Sequence, residues 1–240
     1  MFRLKLEFRM EKPELPREMD SLMVSFLKAS LQNYSQELYE AFYEEHKSVL
    51  KNYAFSFFLP GARFEKEKIF LNKNHFTMLF SDADLGEAIH FFNAFKKMRG
   101  KQYPMNANSM ELISVRTKKC REITDHEIVV KMLSSLVVRE HNPEDNTDIY
   151  YTYDQPGFAK TLKENVENFL KKKNISLSTE GFSIEPVKGK KIVANVFSRS
   201  VDANIGIYKL TGAPELLNYL YLSAMGSRRS QGHGLFEVMW

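Results

Sequence analysis

The stretch AMGSRRSQGHGLFEV (224–238) joins an apolar helical segment (Leu216, Leu217, Leu220, Tyr221) to a short strand-like run over 235–239. Three glycines, Gly226, Gly232 and Gly234, bracket the adjacent arginines Arg228 and Arg229, with Ser227, Ser230 and Gln231 beside them. Glycine admits positive φ and lets another chain approach closely. Amides, hydroxyls and guanidinium forks gathered in one loop suit the backbone of a polyanion. The order is helix then strand, the reverse of a phosphate-binding βα turn, and G-x-G-x-x-G is absent. Gln231 also stands where a P-loop needs its second glycine, counted from Gly226. Both points lead away from a nucleotide-binding α/β fold. On composition alone the loop reads equally well as a helix–strand connection with solvated arginines.

Earlier in the chain, Phe2, Leu4, Leu6 and Phe8 alternate with Arg3, Lys5, Glu7 and Arg9, the period of a half-buried strand. Pro13 and Pro16 precede an amphipathic helix carrying Leu22, Met23, Phe26, Leu27 and Leu31, and a second helical piece sets Leu38 one turn before Phe42. YAFSFFL (53–59) is an aromatic strand closed by Pro60-Gly61, with further strands at 69–71 and 76–80. Residues 82–98 read as a helix with Leu85, Ile89, Phe92 and Phe95 inward, and 110–117 as a strand. That order, β-α-β-β-α-β, is a ferredoxin-type unit. A second unit begins near Glu122. It holds SSLVVRE (134–140), a polar excursion over 142–148, a helix over 158–171, a strand pair around 182–199 and 206–211, and the closing helix and loop. The expected fold is α+β: tandem ferredoxin-like (RRM-like) domains, 1–121 and 122–240, ending in the glycine-rich loop. A single larger α+β domain is the alternative.

A chain of 240 residues with net charge +4 tolerates nucleic acid as a partner without demanding it. Cys120 is the only cysteine, so no intramolecular disulfide forms and a reducing cytoplasm is expected. No apolar run approaches the ~20 residues of a membrane-spanning helix, and a charged strand stands where a signal peptide would. No membrane is expected.

Two sets of side chains could carry chemistry. The first is His46 with Lys51, flanked by Tyr43 and Lys47, between the second helical piece and the aromatic strand. Metal-free RNA cleavage needs a base for the 2′-hydroxyl, an acid for the 5′-oxygen and positive charge on the developing phosphorane. Histidine serves as acid or base near neutrality, and lysine can neutralise the extra charge. Against this, Leu38, Phe42 and His46 are spaced i, i+4, i+8, so His46 could simply end an apolar stripe. The second set would be a metal site, but His75, His90, His126, His141 and His233 stand singly, with no H-E-x-x-H or C-x-x-C. We expect no metal and no cofactor. Aromatics make up 13% of the chain and could stack bases, but the RRM signature is missing and most rings fall on core-facing positions.

The segment IYKLTGAPELLNYLYLSAMGSRRSQGHGLFEV (207–238) resembles the C-terminal signature of the CRISPR-associated repeat-processing endoribonucleases, the Cas-six family of the RAMP superfamily. HKSVLKNYAFSF (46–57), SSLVVRE and FAKTLKENVENFL (158–170) are similar to the family's earlier segments. The resemblance implies metal-independent cleavage of CRISPR precursor RNA within its repeats, leaving a 2′,3′-cyclic phosphate and a 5′-hydroxyl. It implies His46 as general acid/base, Lys51 as transition-state stabiliser, and a third role near Tyr43 or Lys28. It places the RNA grip in Gly226, Ser227, Arg228, Arg229, Ser230, Gln231, Gly232, His233 and Gly234. The implied partners are repeat RNA, precursor and mature guide, and the resemblance leaves room for a homodimer or other interference-complex subunits. Ala224 stands where the family often has glycine, and His233 where it has an aromatic. A RAMP subunit that holds RNA without cutting it is the alternative.

Overall fold

The computed structural model describes residues 1–45, 50–197 and 199–239. Of these, 1–45 and 57–120 form one unit, and 50–56 with 121–197 and 199–239 form a second.

The first unit runs β1 (Phe2–Met10), β2 (Glu14–Pro16), α1 (Met19–Tyr34), α2 (Gln36–Tyr39), β3 (Tyr53–Phe58), β4 (Arg63–Phe64), β5 (Lys68–Phe70), β6 (His75–Asp82), α3 (Leu85–Met98), β7 (Gln102–Met105) and β8 (Asn108–Lys119). Only the Phe57–Phe58 end of β3 belongs here, at the β6 edge of a sheet ordered β3-β6-β1-β8-β7. The alternation in β1 sends Leu4, Leu6, Phe8 and Met10 into the core, and β1 pairs antiparallel with both β6 and β8. Phe8 stacks on Phe76 at 4.7 Å and meets the edge of Phe26 from α1 at 5.3 Å. Phe80 and Phe91 lie 4.8 Å apart, so the rings bind sheet to helices as core.

The apolar face of α3 is only partly the one expected, with Phe95 inward as read but not the rest of its stripe. Ala88, Phe91, Ala94, Phe95 and Met98 are buried, whereas Leu85 and Ile89 are 63% and 47% exposed and Phe92 is half-buried. Two stripes with helical spacing compete in this segment, and the one containing alanines wins because small residues let the helix approach the sheet. The helix also starts later than expected: Asp82 ends β6, and Asp84 caps α3 by accepting the Glu87 amide at 2.9 Å. After α2, residues Glu40–Glu45 continue as a π-helical turn, a form often found at functional sites.

The second unit runs β9 (Glu127–Met132), β10 (Val138–Asn142), β11 (Thr147–Tyr151), α4 (Phe158–Lys172), β12 (Ser183–Val196), β13 (Arg199–Thr211), α5 (Pro214–Ser223) and β14 (Phe236–Val238). Its four-stranded antiparallel sheet is ordered β12-β13-β9-β14. As in the first unit, the opening strand lies between the third and the last, so the architecture is α+β with tandem ferredoxin-like units. The sequence reading named no strand before SSLVVRE. The opening strand is β9, with Ile128, Val130 and Met132 inward, and SSLVVRE turns off the sheet into the β10–β11 hairpin. No helix among the described residues is long and apolar enough to cross a membrane.

Phe91→Ala should cost about 3–5 kcal/mol of unfolding free energy, while Leu85→Ser should stay within about 0.5 kcal/mol. Urea titrations of the two variants check which stripe of α3 is the core face.

Candidate functional site

The glycine-rich loop begins where α5 ends, at Ala224, whose φ of 63° is unusual for a residue with a side chain. Its backbone is laced to the segment after β9. The Gly234 amide donates to Ser135 O at 2.9 Å, Ser227 N to Val137 O at 2.8 Å and Leu235 N to the Ser134 hydroxyl at 3.0 Å. Gly234 has φ 77°, and a Cβ there would run into the Met225 carbonyl. Gly232 has φ 87°, and its Cβ would sit 2.6 Å from the Phe55 ring. No alanine fits either place without moving its neighbours. His233 points inward, buried, with Nδ1 2.7 Å from the Ser135 hydroxyl.

The two adjacent arginines differ in burial. Arg229 is 6% exposed, its guanidinium carbon 3.2 Å from the centre of the Phe169 ring of α4. Tyr219 of α5 stacks on Phe169 at 6.0 Å, and Arg229 Nη1 donates to Ser223 O at 3.5 Å. Burial pushes the Arg229 guanidinium down to about 9, against the opposing pull of Tyr219, which leaves it charged at neutral pH. A cation–π stack therefore ties the loop to both helices. Arg228, in the left-handed conformation and half-buried, lines a cleft to which Phe169 and Arg229 also contribute.

That cleft, about 650 Å³, lies within the second unit. The loop from Gly226 to Gln231 forms one side, Asn165, Phe169 and Lys172 of α4 the floor, Arg139, Glu140 and His141 of β10 another side, and Leu50 with Lys51 a third. Lys173 Nζ donates to Leu50 O at 3.2 Å, which anchors the segment carrying Lys51. Arg228 Nε and Gln231 Oε1 are shielded from solvent without a hydrogen-bond partner among the described residues. Folded proteins leave few such groups unmet.

Asn165 joins three elements. Its amide donates to Arg139 O at 2.7 Å, while its Oδ1 accepts Arg139 N at 3.2 Å and the Ser227 hydroxyl at 3.0 Å. Nothing in the FAKTLKENVENFL pattern singles this asparagine out, and only its midpoint position on the helix face toward β10 makes it a hub. Asp148 is a second missed residue, gathering Arg139, His141 and Tyr150 around one carboxylate. Alternation in the hairpin was the available signal, because it puts all four on one face.

In the first unit, Lys28 Nζ lies 5.2 Å from the ring centre of Tyr43, which is buried in the π-helical turn. His46 and Lys47 lie outside the described residues. Among the described residues no three His, Cys, Asp or Glu side chains gather as a metal site would require.

The family model for the C-terminal part of CRISPR associated protein Cas6 matches residues 117–238. No curated protein matches the chain. Among solved structures, the product of a Cas6-related gene from Pyrococcus furiosus superposes with a TM-score of 0.85 at 13% identity, over 99% of this chain and 98% of that one. A RAMP protein binding different RNA substrates gives 0.83 at 16%, over 100% of both chains. A Cas6 product complex gives 0.74 at 15%, again over 100% of both. At these identities the likeness is one of fold.

Gly100 and Gly234 have nearly the same φ, 78° and 77°, but only Gly234 has a backbone against it, since nothing lies within 4 Å of a Cβ at Gly100. Gly100→Ala should cost roughly 1–2 kcal/mol for the left-handed conformation alone, and Gly234→Ala at least about twice that. Chemical denaturation of the pair isolates the close approach that shapes the loop.

Proposed function

We propose that this chain, which belongs to the CRISPR-associated Cas6 family, is a metal-independent endoribonuclease that cuts CRISPR precursor RNA within its repeats to give guide RNAs. The observation that carries the reading is the cleft, whose lining brings Lys51, Arg228 and Gln231 together with the rest of the glycine-rich loop. A ribose-phosphate strand offers anionic oxygens to the guanidinium and the lysine, and hydroxyl groups to the glutamine amide.

In this reading His46 moves the proton, taking it from the attacking 2′-hydroxyl or giving it to the departing 5′-oxygen. Lys51 neutralises the charge that builds on the phosphorus oxygens. The Tyr43–Lys28 pair fills the third role, as donor or positioning group. The 2′-oxygen displaces the 5′-oxygen at phosphorus, leaving a 2′,3′-cyclic phosphate and a 5′-hydroxyl, so the balance requires no water in this step. Residues 122–240 act as the gripping domain, and 1–121 carry His46. Arg228, rather than Arg229, makes the phosphate contact, because Arg229 is already stacked on Phe169. A second reading, RNA binding without cleavage, has the fold likeness to an RNA-binding RAMP protein in its favour.

Labelled repeat RNA incubated with the protein in EDTA decides between them. Cleavage that is abolished by a deoxyribose at the scissile nucleotide supports the nuclease, and tight binding of intact RNA supports the second reading. His46→Ala should slow cleavage about 10²–10⁴-fold while leaving affinity close to wild type. Arg228→Met should instead weaken binding and lower the slope of log affinity against log salt by about 1. Arg229→Met should leave that slope unchanged.

A further inference from the structure

Lysines 171–173 close α4, and they do different things. Lys172 lines the cleft, whereas Lys173, which caps the helix, donates from Nζ to Leu50 O at 3.2 Å. Its own amide bonds back to Phe169 O at 3.0 Å and Leu170 O at 3.2 Å, so the backbone beneath the donor is fixed. A cation also suits this end of a helix. The acceptor is the significant partner. A carbonyl and the following amide share one plane, so holding Leu50 O holds the plane from which Lys51 departs. After Lys51 the chain is buried at once: Asn52, Tyr53, Ala54, Phe55 and Ser56 are all 7% exposed or less. Gly232 of the loop packs against that run, close enough to Phe55 that a Cβ would lie 2.6 Å from its ring. Residues 50–56 fold with the second unit, so these contacts are internal to it. Lys51, half-buried and lining the cleft, thus stands between a pinned carbonyl and a clamped strand.

We propose that Lys173 is a positioning residue for RNA cleavage, setting through the Leu50 carbonyl where Lys51 meets the phosphate. The proposal rests on the nuclease reading above, in which Lys51 neutralises charge on the phosphorus oxygens. Lysine is a compact charge on a flexible four-carbon stem, and its attraction for an anion falls with distance. The base of the stem therefore decides how much of that charge reaches the transition state. A base fixed before RNA arrives needs no rearrangement during the reaction. Lys173 is not among the described residues that line the cleft, and it acts only through its neighbour. The domain that grips RNA then also supplies the charge that stabilises its cleavage.

Single-turnover cleavage of repeat RNA in EDTA gives the rate. Anisotropy of the same RNA, with deoxyribose at the scissile nucleotide, gives Kd. Lys173→Met should slow cleavage about three- to thirtyfold, short of the ~10²-fold that a displacement of about 1 Å can cost, with Kd and its salt slope unchanged. Lys173→Arg, which keeps a donor for the carbonyl, should recover most of the rate. Lys171→Met, which removes the same charge from the same turn, should cleave like wild type. Lys51→Ala should lose roughly 10²–10³-fold, and adding Lys173→Met to it should cost nothing further, because the second residue works through the first. A wild-type rate for Lys173→Met, a fully additive loss in the double variant, or a salt slope lowered by about 1 overturns the proposal. A wild type that does not cut, or a Lys51→Ala variant that cuts normally, would instead sink the reading on which it rests.

Discussion

The approach of the Gly234 backbone to the Met225 carbonyl is the constraint on which the rest of the site depends. It closes the loop at its base, where the Met225 amide also donates to Gly234 O at 3.2 Å. The loop then has no freedom to relax outward, and its middle must cross the 134–137 segment closely enough for backbone bonds. Ala224 and Arg228 accept positive φ within this closure, a strain of about 1–2 kcal/mol each that isolated residues would shed. They keep it because unmaking the lacing would strand several buried amides, each worth about 1–3 kcal/mol if left unsatisfied.

Given that closure, the arginines are sorted by geometry rather than by charge. Both line the cleft, but they differ in burial and in partners. One goes down onto Phe169, where an aromatic face and a helix-end carbonyl replace water around the guanidinium. The other stays on the cleft wall with its Nε unmet. The buried arginine fixes the platform, and in the proposed function this would lower the cost of ordering its neighbour when a ligand arrives.

Much of this was legible in the sequence. Period-two alternation at 2–9 and the helix and strand patterns that follow identified a ferredoxin-type order, because those signals depend on local burial alone. The glycines of 226–234 marked a loop with close backbone approach for the same reason. The face of α3 was misread because Leu85, Ile89 and Phe92 are larger and more apolar than Ala88 and Ala94. Hydrophobicity cannot register that a small residue is chosen for proximity. The division between Arg228 and Arg229 was hidden too, since adjacency says nothing about a φ of 61° between them. Asn165 was invisible for a third reason: its partners Arg139 and Ser227 are brought to it only by tertiary folding, over separations that no window spans.

A net charge of +4 spread over 240 residues bears on how such a site holds RNA. A field that weak, screened within about 10 Å at ordinary ionic strength, steers little from a distance. In the proposed function affinity comes instead from short-range groups of the cleft lining, among them Arg228, Gln231 and Lys51. In that function the acids of the cleft would discriminate: Glu140 and Glu164 would repel a phosphate that enters out of register. Rigid closure of the loop is what makes register meaningful, because a mobile loop would let any polyanion slide until its phosphates found the arginine.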